Sequence, residues 1–297
     1  MKHLQFAVCA LLAAAAFLSA GESPSLNPAL PTLFIAGDST AARNSGAPVQ
    51  GWGEPFAGFF NLSKINIANR AVGGRSSRTF ITAGHWDQML AEVKTGDFVL
   101  IQFGHNDGGA INEEPPESKL PLRARGTLPG LGEESQTIDN VVTKKAEVVH
   151  TFGWYLRKMI ADTRAKGAIP ILLSLTPRNL WRDGKIERGS GSYREWIRDL
   201  ALSAGIEFID ATRIGADRYQ ALGQEKAAEY FGGDPVHSNT AGAELNAASV
   251  VAGLKGIRRG PQFGAFLSEK GQAIEAGFPD ELNPPAPEST QKSPSMP

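Results

Sequence analysis

Cysteine is nearly absent. The chain of 297 residues holds one, Cys9, in the apolar segment at its start. A lone cysteine excludes an internal disulfide, and beyond residue 9 there is no thiol nucleophile and no thiolate to bind a metal. A surplus of either charge is absent too. The 30 Lys and Arg stand against 31 Asp and Glu, for a formal net charge of −1. A nucleic-acid binder would carry a basic excess, so no nucleic-acid partner is expected. No internal repeat is visible. No H-E-x-x-H or comparable ligand cluster occurs, so neither a metal nor a cofactor is expected. The serine contexts contain no G-x-S-x-G, which weighs against an α/β-hydrolase elbow.

The two ends differ from the middle. "MKHLQFAVCALLAAAAFLSAGES" has a positive start at Lys2, an apolar run from Leu4 to Ala20, and small residues at Ser19, Ala20 and Gly21. Residues 1–20 read as a secretory signal peptide cleaved near Ala20 or Gly21. The expectation is a secreted or periplasmic protein with no membrane contact in its mature form. A membrane anchor is the rival reading, but the segment is short for a span and no basic stop-transfer cluster follows it. Residues 279–297 are rich in Pro and Ser, lack an apolar period and read as a mobile tail.

The middle, residues 30–260, alternates short apolar runs with helix-period segments. Strands are expected at Leu33–Ala36, Ile65–Ala68, Phe98–Phe103, Ile169–Leu175 and Ile206–Ile209. Helices are expected at Glu54–Leu62, Gly84–Lys94, Thr143–Lys166, Ser192–Ser203 and Thr240–Leu254. In Thr143–Lys166, the residues Val148, Val149, Phe152, Leu156, Met159 and Ile160 trace one face. The strands are apolar at nearly every position, as in a sheet covered on both sides. Alternating β and α implies a parallel sheet in a doubly wound, three-layer α/β/α domain. Residues 108–139, with Pro115, Pro116, Pro121 and Pro129, break the rhythm and read as one long surface loop.

Ligands bind such sheets beyond the carboxyl ends of the strands. Four segments fall there: Gly37-Asp38-Ser39 after the first strand, "NRAVGGRSSR" with Gly74 after the second, "GHNDGG" with Asn106 after the third, and "GGDPVHSNTAGAE" with Asp234 and His237 before the last helix. A serine hydroxyl needs a base to become a nucleophile, and histidine is the usual one. His237 needs a partner to fix its tautomer, and Asp234 lies three residues earlier. The N–H groups of Ser39 and Gly74 and the Asn106 amide could stabilise an oxyanion. Each piece has a bland reading as well. Ser39 could be a helix cap, the glycines a tight turn, Asn106 a turn former, and D-x-x-H a fortuitous pair. His105 is expected to hydrogen-bond locally and shape its loop.

Together, "GDSTAA", Gly74, "GHND" and "DPVH", in this order from Phe34 to His237, resemble the SGNH (GDSL) hydrolases. The G-D-S-T-A-A, G-G-R-S-S-R and G-H-N-D forms look most like rhamnogalacturonan acetylesterases. The resemblance implies a flavodoxin-like α/β/α fold. It implies Ser39 as nucleophile, His237 as base and Asp234 as its partner, with Ser39, Gly74 and Asn106 as the oxyanion hole. The implied activity is a serine esterase that removes acetyl groups from a polysaccharide partner through an acetyl-enzyme. Arg75, Arg78, Arg178 and Trp181 flank these blocks and are the candidates for substrate contact, arginine for galacturonate carboxylates and tryptophan for a sugar face. Two rivals remain: an SGNH esterase or lipase of another substrate class, and a non-catalytic carbohydrate-binding protein.

Overall fold

The structure, a computed structural model, describes residues 26–43, 48–115, 121–189, 191–258 and 260–277; the expected signal peptide and tail lie outside them. Five parallel strands form the central sheet: β1 (Thr32–Gly37), β2 (Asn66–Asn69), β3 (Phe98–Gln102), β6 (Ile169–Leu173) and β9 (Glu207–Ile209). Their order is β2-β1-β3-β6-β9. The chain leaves β1 for β2 on one side and returns to β3 on the other. The crevice between β1 and β3 is therefore the place where loops diverge and a site can form.

The apolar strands feed two cores. Leu33, Ile35, Leu100, Ile171 and Leu173 point to one face and pack with Trp52, Phe56, Val250 and Val251. Phe34, Ala36, Val99, Ile101 and Leu172 point to the other and pack with Trp86, Phe152, Leu156 and Ile197. Successive strand residues alternate between the faces, so a run that is apolar throughout serves both. Helix α7 (Thr240–Lys255) covers the first face. Helices α2 (His85–Glu92), α3 (Phe152–Ala165) and α4 (Tyr193–Ala204) cover the second. Phe263 and Leu267, beyond residue 260, also belong to the first core.

Several elements depart from the sequence reading. The expected helix Thr143–Lys166 begins only at Phe152, where the Thr151 side chain accepts from Trp154 N–H as an N-cap. The residues before it form β5 (Ala146–His150), paired antiparallel with β4 (Ser135–Asp139). Val149 is buried while Val148 is exposed, which is strand alternation. The segment 108–139 thus ends in a strand, and a bridge between Glu113 and Arg123 ties together its first half. The expected helix Glu54–Leu62 is a 3-10 turn, Pro55–Phe59, that stops where Phe60 turns extended and pairs with Leu267. Sequence periodicity also passed over α1 (Ser77–Thr82), the small hairpin of β7 (Trp181–Arg182) and β8 (Lys185–Ile186), α5 (Ala211–Leu222), α6 (Gln224–Ala228) and α8 (Glu269–Gln272).

Candidate active site

Ser39 sits just past the end of β1, in a turn built by the residue before it. Asp38 is fully buried. Its carboxylate accepts from Thr40 N–H and Thr40 Oγ1, each at 2.8 Å, and its carbonyl accepts from the N–H groups of Ala41 and Ala42. Asp38 and Thr40 are thereby pulled inward, and Ser39 is left half-exposed. Burial pushes the Asp38 carboxyl up to about 6, against the lowering pull of Thr40, His237 and Arg178.

His237 comes from the other end of the fold, 198 positions away, yet Ser39 Oγ lies 2.8 Å from His237 Nε2. On the far side of the ring, Nδ1 is 2.8 Å from Asp234 Oδ2. The second carboxylate oxygen accepts from the backbone N–H groups of Val236 at 2.7 Å and His237 at 2.9 Å. For Asp234, burial works upward, but these bonds with His237 and Val236 outweigh it and hold the carboxyl below its usual range. Ser39, His237 and Asp234 thus form a continuous relay of the kind that lets a histidine take a serine proton.

The sequence reading missed the segment that splices the two halves. Gln50 N–H donates to Ser238 O at 2.8 Å, and Ser238 Oγ donates back to Gln50 O at 2.9 Å. Next door, Gly51 N–H donates to Ala42 O and Trp52 N–H to Thr40 O. Trp52 is locked by its indole N–H, which donates to Gln102 Oε1 at 2.8 Å. The run Gln50 to Trp52 therefore binds the nucleophile turn on one edge and the histidine loop on the other. Its only signal in the sequence is a tryptophan between two glycines.

The two other expected oxyanion donors lie on neighbouring loops. Gly74 has φ +73°, a left-handed conformation that strains any side chain, while a Cβ there would meet nothing within 4 Å. Glycine is required at this position by the backbone and not by crowding. A Cβ on its neighbour Gly73 would lie 3.8 Å from Ser39 Cβ, which places this loop against the nucleophile. Asn106 is nearly buried and donates Nδ2–H to Arg75 O at 2.9 Å, which leaves one amide hydrogen for another acceptor. Asp107, fully buried, accepts on Oδ1 from Ser77 N–H at 3.0 Å and Ser77 Oγ at 2.5 Å. Burial pushes its carboxyl up to about 7. His105 Nε2 lies 3.2 Å from Thr176 Oγ1, consistent with a loop-shaping role. Burial, with the charges of Arg178 and His237, lowers the His105 imidazole to about 3 and keeps it neutral.

The substrate-contact candidates separate. Arg78 is fully buried and does not face a cleft. Its Nε and Nη2 clamp both carboxylate oxygens of Glu147 at 2.7 and 2.9 Å, and its Nη1 donates to the carbonyls of Ile111 and Gly126. With four of its five donors spent inside the protein and no exposed surface, Arg78 tethers the inserted segment and is out of reach of a polymer. Arg75 is half-buried, and its charge acts on His85. Arg178 is half-buried with no ion pair or side-chain hydrogen bond among the described residues, and its charge reaches Asp38 and His105 beside the relay. Trp181 donates its indole N–H to Asn179 Oδ1 at 2.8 Å and packs on the small cluster of Ile186, Tyr219 and Phe231. Among the described residues no group of three His, Cys, Asp or Glu side chains could hold a metal ion.

Known proteins resemble this chain. A rhamnogalacturonan acetylesterase of Emericella nidulans is 32% identical over 72% of this chain and 80% of its own. A probable rhamnogalacturonan acetylesterase of Bacillus subtilis, YesY, is 28% identical over 75% of this chain and 92% of its own. Among solved structures, protein YxiM of Bacillus subtilis superposes with a TM-score of 0.58 at 26% identity, covering 76% of this chain and 56% of that longer one. Residues 35–245, which carry Ser39, Gly74, Asn106, Asp234 and His237, match the GDSL-like Lipase/Acylhydrolase family. With that match and the nucleophile turn at the tip of β1, the chain belongs to the GDSL-like lipase/acylhydrolase family and is a carboxylic ester hydrolase.

Proposed function

We propose that this protein removes acetyl groups from an acetylated cell-wall polysaccharide, rhamnogalacturonan before xylan, and that it works outside the cytoplasm after loss of residues 1–20. The observation that carries the reading is the 2.8 Å contact of Ser39 Oγ with His237 Nε2, backed by Asp234. His237 takes the Ser39 proton as Oγ attacks the acetyl carbonyl. Negative charge gathers on the carbonyl oxygen, where the N–H groups of Ser39 and Gly74 and the free amide hydrogen of Asn106 can receive it. The imidazolium then gives its proton to the departing sugar oxygen, which leaves an acetyl ester on Ser39. A water, deprotonated by His237, attacks that ester, and acetate leaves as Ser39 regains its proton. The steps need no metal or cofactor.

The names of the relatives favour a pectin substrate, and the site adds a local reason. Rhamnogalacturonan is a polyanion, and Arg178 is a half-buried cation beside the relay that makes no ion pair among the described residues, its charge felt only at longer range by the buried Asp38. An arginine in that state is suited to a sugar carboxylate. Arg75 and Trp181 remain candidates at the edge of the same rim. The test is acetate release from acetylated rhamnogalacturonan and acetylated xylan at matched acetyl content, by the wild type and Ser39→Ala. Release from pectin that depends on Ser39 and exceeds release from xylan is expected. Faster release from xylan would overturn the substrate, and release that persists in Ser39→Ala would overturn the mechanism.

A further inference from the structure

Two loops that share no strand must hold the Gly74 and Asn106 donors at a fixed separation. Gly74 follows β2, at one edge of the sheet, whereas Asn106 follows β3, and β1 runs between them. Sheet hydrogen bonds therefore do not set the spacing of the two donors directly. Two cross-links do. The Asn106 amide donates to Arg75 O at 2.9 Å, and the Asp107 carboxylate accepts from both the N–H and the hydroxyl of Ser77. Ser77 is the first residue of α1, three positions after Gly74. Its neighbour Ser76 caps the helix in a reciprocal bond with Thr79, so α1 is a firm anchor for the Gly74 turn. Asp107 O also accepts from Thr127 N–H, which adds the inserted segment to the same junction.

The chemistry of Asp107 suits a brace better than a general stabiliser. It is fully buried, and its Oδ2 has no hydrogen-bond partner. A fully buried carboxyl is a costly way to fill space. Oδ1 takes both donors of Ser77, on the loop that carries Gly74, while the backbone of Gly104 acts on the same carboxyl from its own loop, so Asp107 joins the two.

We infer that Asp107 is a positioning residue of the oxyanion hole, which fixes the Gly74 turn against Asn106 through its double hydrogen bond with Ser77. The inference rests on the esterase reading above. Displacing a donor lowers transition-state stabilisation without touching ground-state binding, so the loss falls on kcat.

The test is steady-state hydrolysis of a small neutral acetyl ester by the wild type, Asp107→Ala, Asp107→Asn, Ser77→Ala, Asn106→Ala and the Asn106→Ala/Asp107→Ala pair, with folding of each followed by near-ultraviolet circular dichroism. Asp107→Ala should lower kcat about 10- to 100-fold, with KM within about twofold of the wild type, given that one oxyanion donor is worth about 10²- to 10³-fold. Asp107→Asn keeps an acceptor oxygen for Ser77 and should recover most of the rate. In the Asn106→Ala background, removing Asp107 should cost under about threefold, because the spacing it sets has lost one end. If Asp107→Ala does not fold, Ser77→Ala decides, and unchanged kcat there overturns the inference. So would a normal kcat in folded Asp107→Ala, or effects of Asn106 and Asp107 that multiply in full. A wild type without Ser39-dependent turnover would instead sink the esterase reading, and the inference with it.

Discussion

Asp234 holds His237 twice, once by the backbone N–H at 2.9 Å and once by the ring Nδ1 at 2.8 Å. One short D-P-V-H turn thereby fixes both where the imidazole is attached and which way it faces. The pair is open to water, however, with the Asp234 side chain 47% exposed and that of His237 34% exposed.

That exposure grades the expected losses. Ser39→Ala and His237→Ala remove the nucleophile and the base and should lower kcat by roughly 10⁶-fold. Asp234→Ala should cost less, on the order of 10³- to 10⁴-fold, since water can partly replace an exposed partner. Initial rates on a small acetyl ester check the order. Equal losses for all three would mean that Asp234 does more than orient.

Arg78 is expected to behave as a structural residue. Arg78→Ala leaves Glu147 without its charge partner, held only by Asn140, and leaves the Ile111 and Gly126 carbonyls without their donor; it should lower stability by about 3 to 5 kcal/mol, the usual cost of breaking a buried pair. Arg78→Lys should recover little of it, because an ammonium does not reproduce the bidentate fork plus two carbonyl bonds. Urea unfolding midpoints measure both. A Lys variant as stable as the wild type would show that charge alone suffices.

Asp38 makes stability depend on pH. Folded, its carboxyl keeps the proton up to about 6, whereas its ordinary value is 3.8. Between those values the folded state binds more protons, so this contribution is full below 3.8 and is lost as pH rises to about 6. His105 works in reverse, for it stays neutral when folded down to about 3, and its contribution is lost as pH falls from 6.5. Asp38→Asn removes only the first effect. Relative to the wild type, it should gain stability progressively from pH 4 to 6.5, by up to roughly 3 kcal/mol, and change no further above that. Thermal melts across that range would show a constant difference if burial did not perturb Asp38.

Salt should separate polymer binding from chemistry. If Arg178 meets a sugar carboxylate, Arg178→Ala should raise KM for acetylated rhamnogalacturonan several-fold and flatten its dependence on ionic strength. KM and kcat for a small neutral acetyl ester should move less than about twofold. The same loss on both substrates would place Arg178 in the catalytic machinery instead.

The relay was legible in the sequence because each of its members follows directly on a strand or precedes a helix, where doubly wound sheets put their ligand-binding loops. Ser39 and His237 could be paired without knowing any contact between them. Arg78 shows the opposite case. Its sequence context, four residues past Gly74 in an arginine-bearing loop, pointed outward to a substrate, while Glu147, 69 positions on, held it inward. No local pattern announces such a partner. The segment 143–166 failed differently. Val148 and Val149 fit a helical face that continues into Phe152 and Leu156, and only pairing with β4 resolves them as strand. Short apolar runs beside a strong helix take on its period by accident.

The 198 positions between Ser39 and His237 also have a meaning in time. A ribosome delivers the hydroxyl long before it delivers the base, and no fragment ending short of His237 contains a competent pair. Closing that span needs the chain through Ser238, since the Gln50 to Trp52 splice binds Ser238 beside the base. Contacts of such long range form late and slowly. Ester hydrolysis is therefore a signature of the finished fold. Its first appearance in a refolding reaction would date the arrival of the C-terminal third of the chain, and a nascent or clipped protein would carry its serine unarmed.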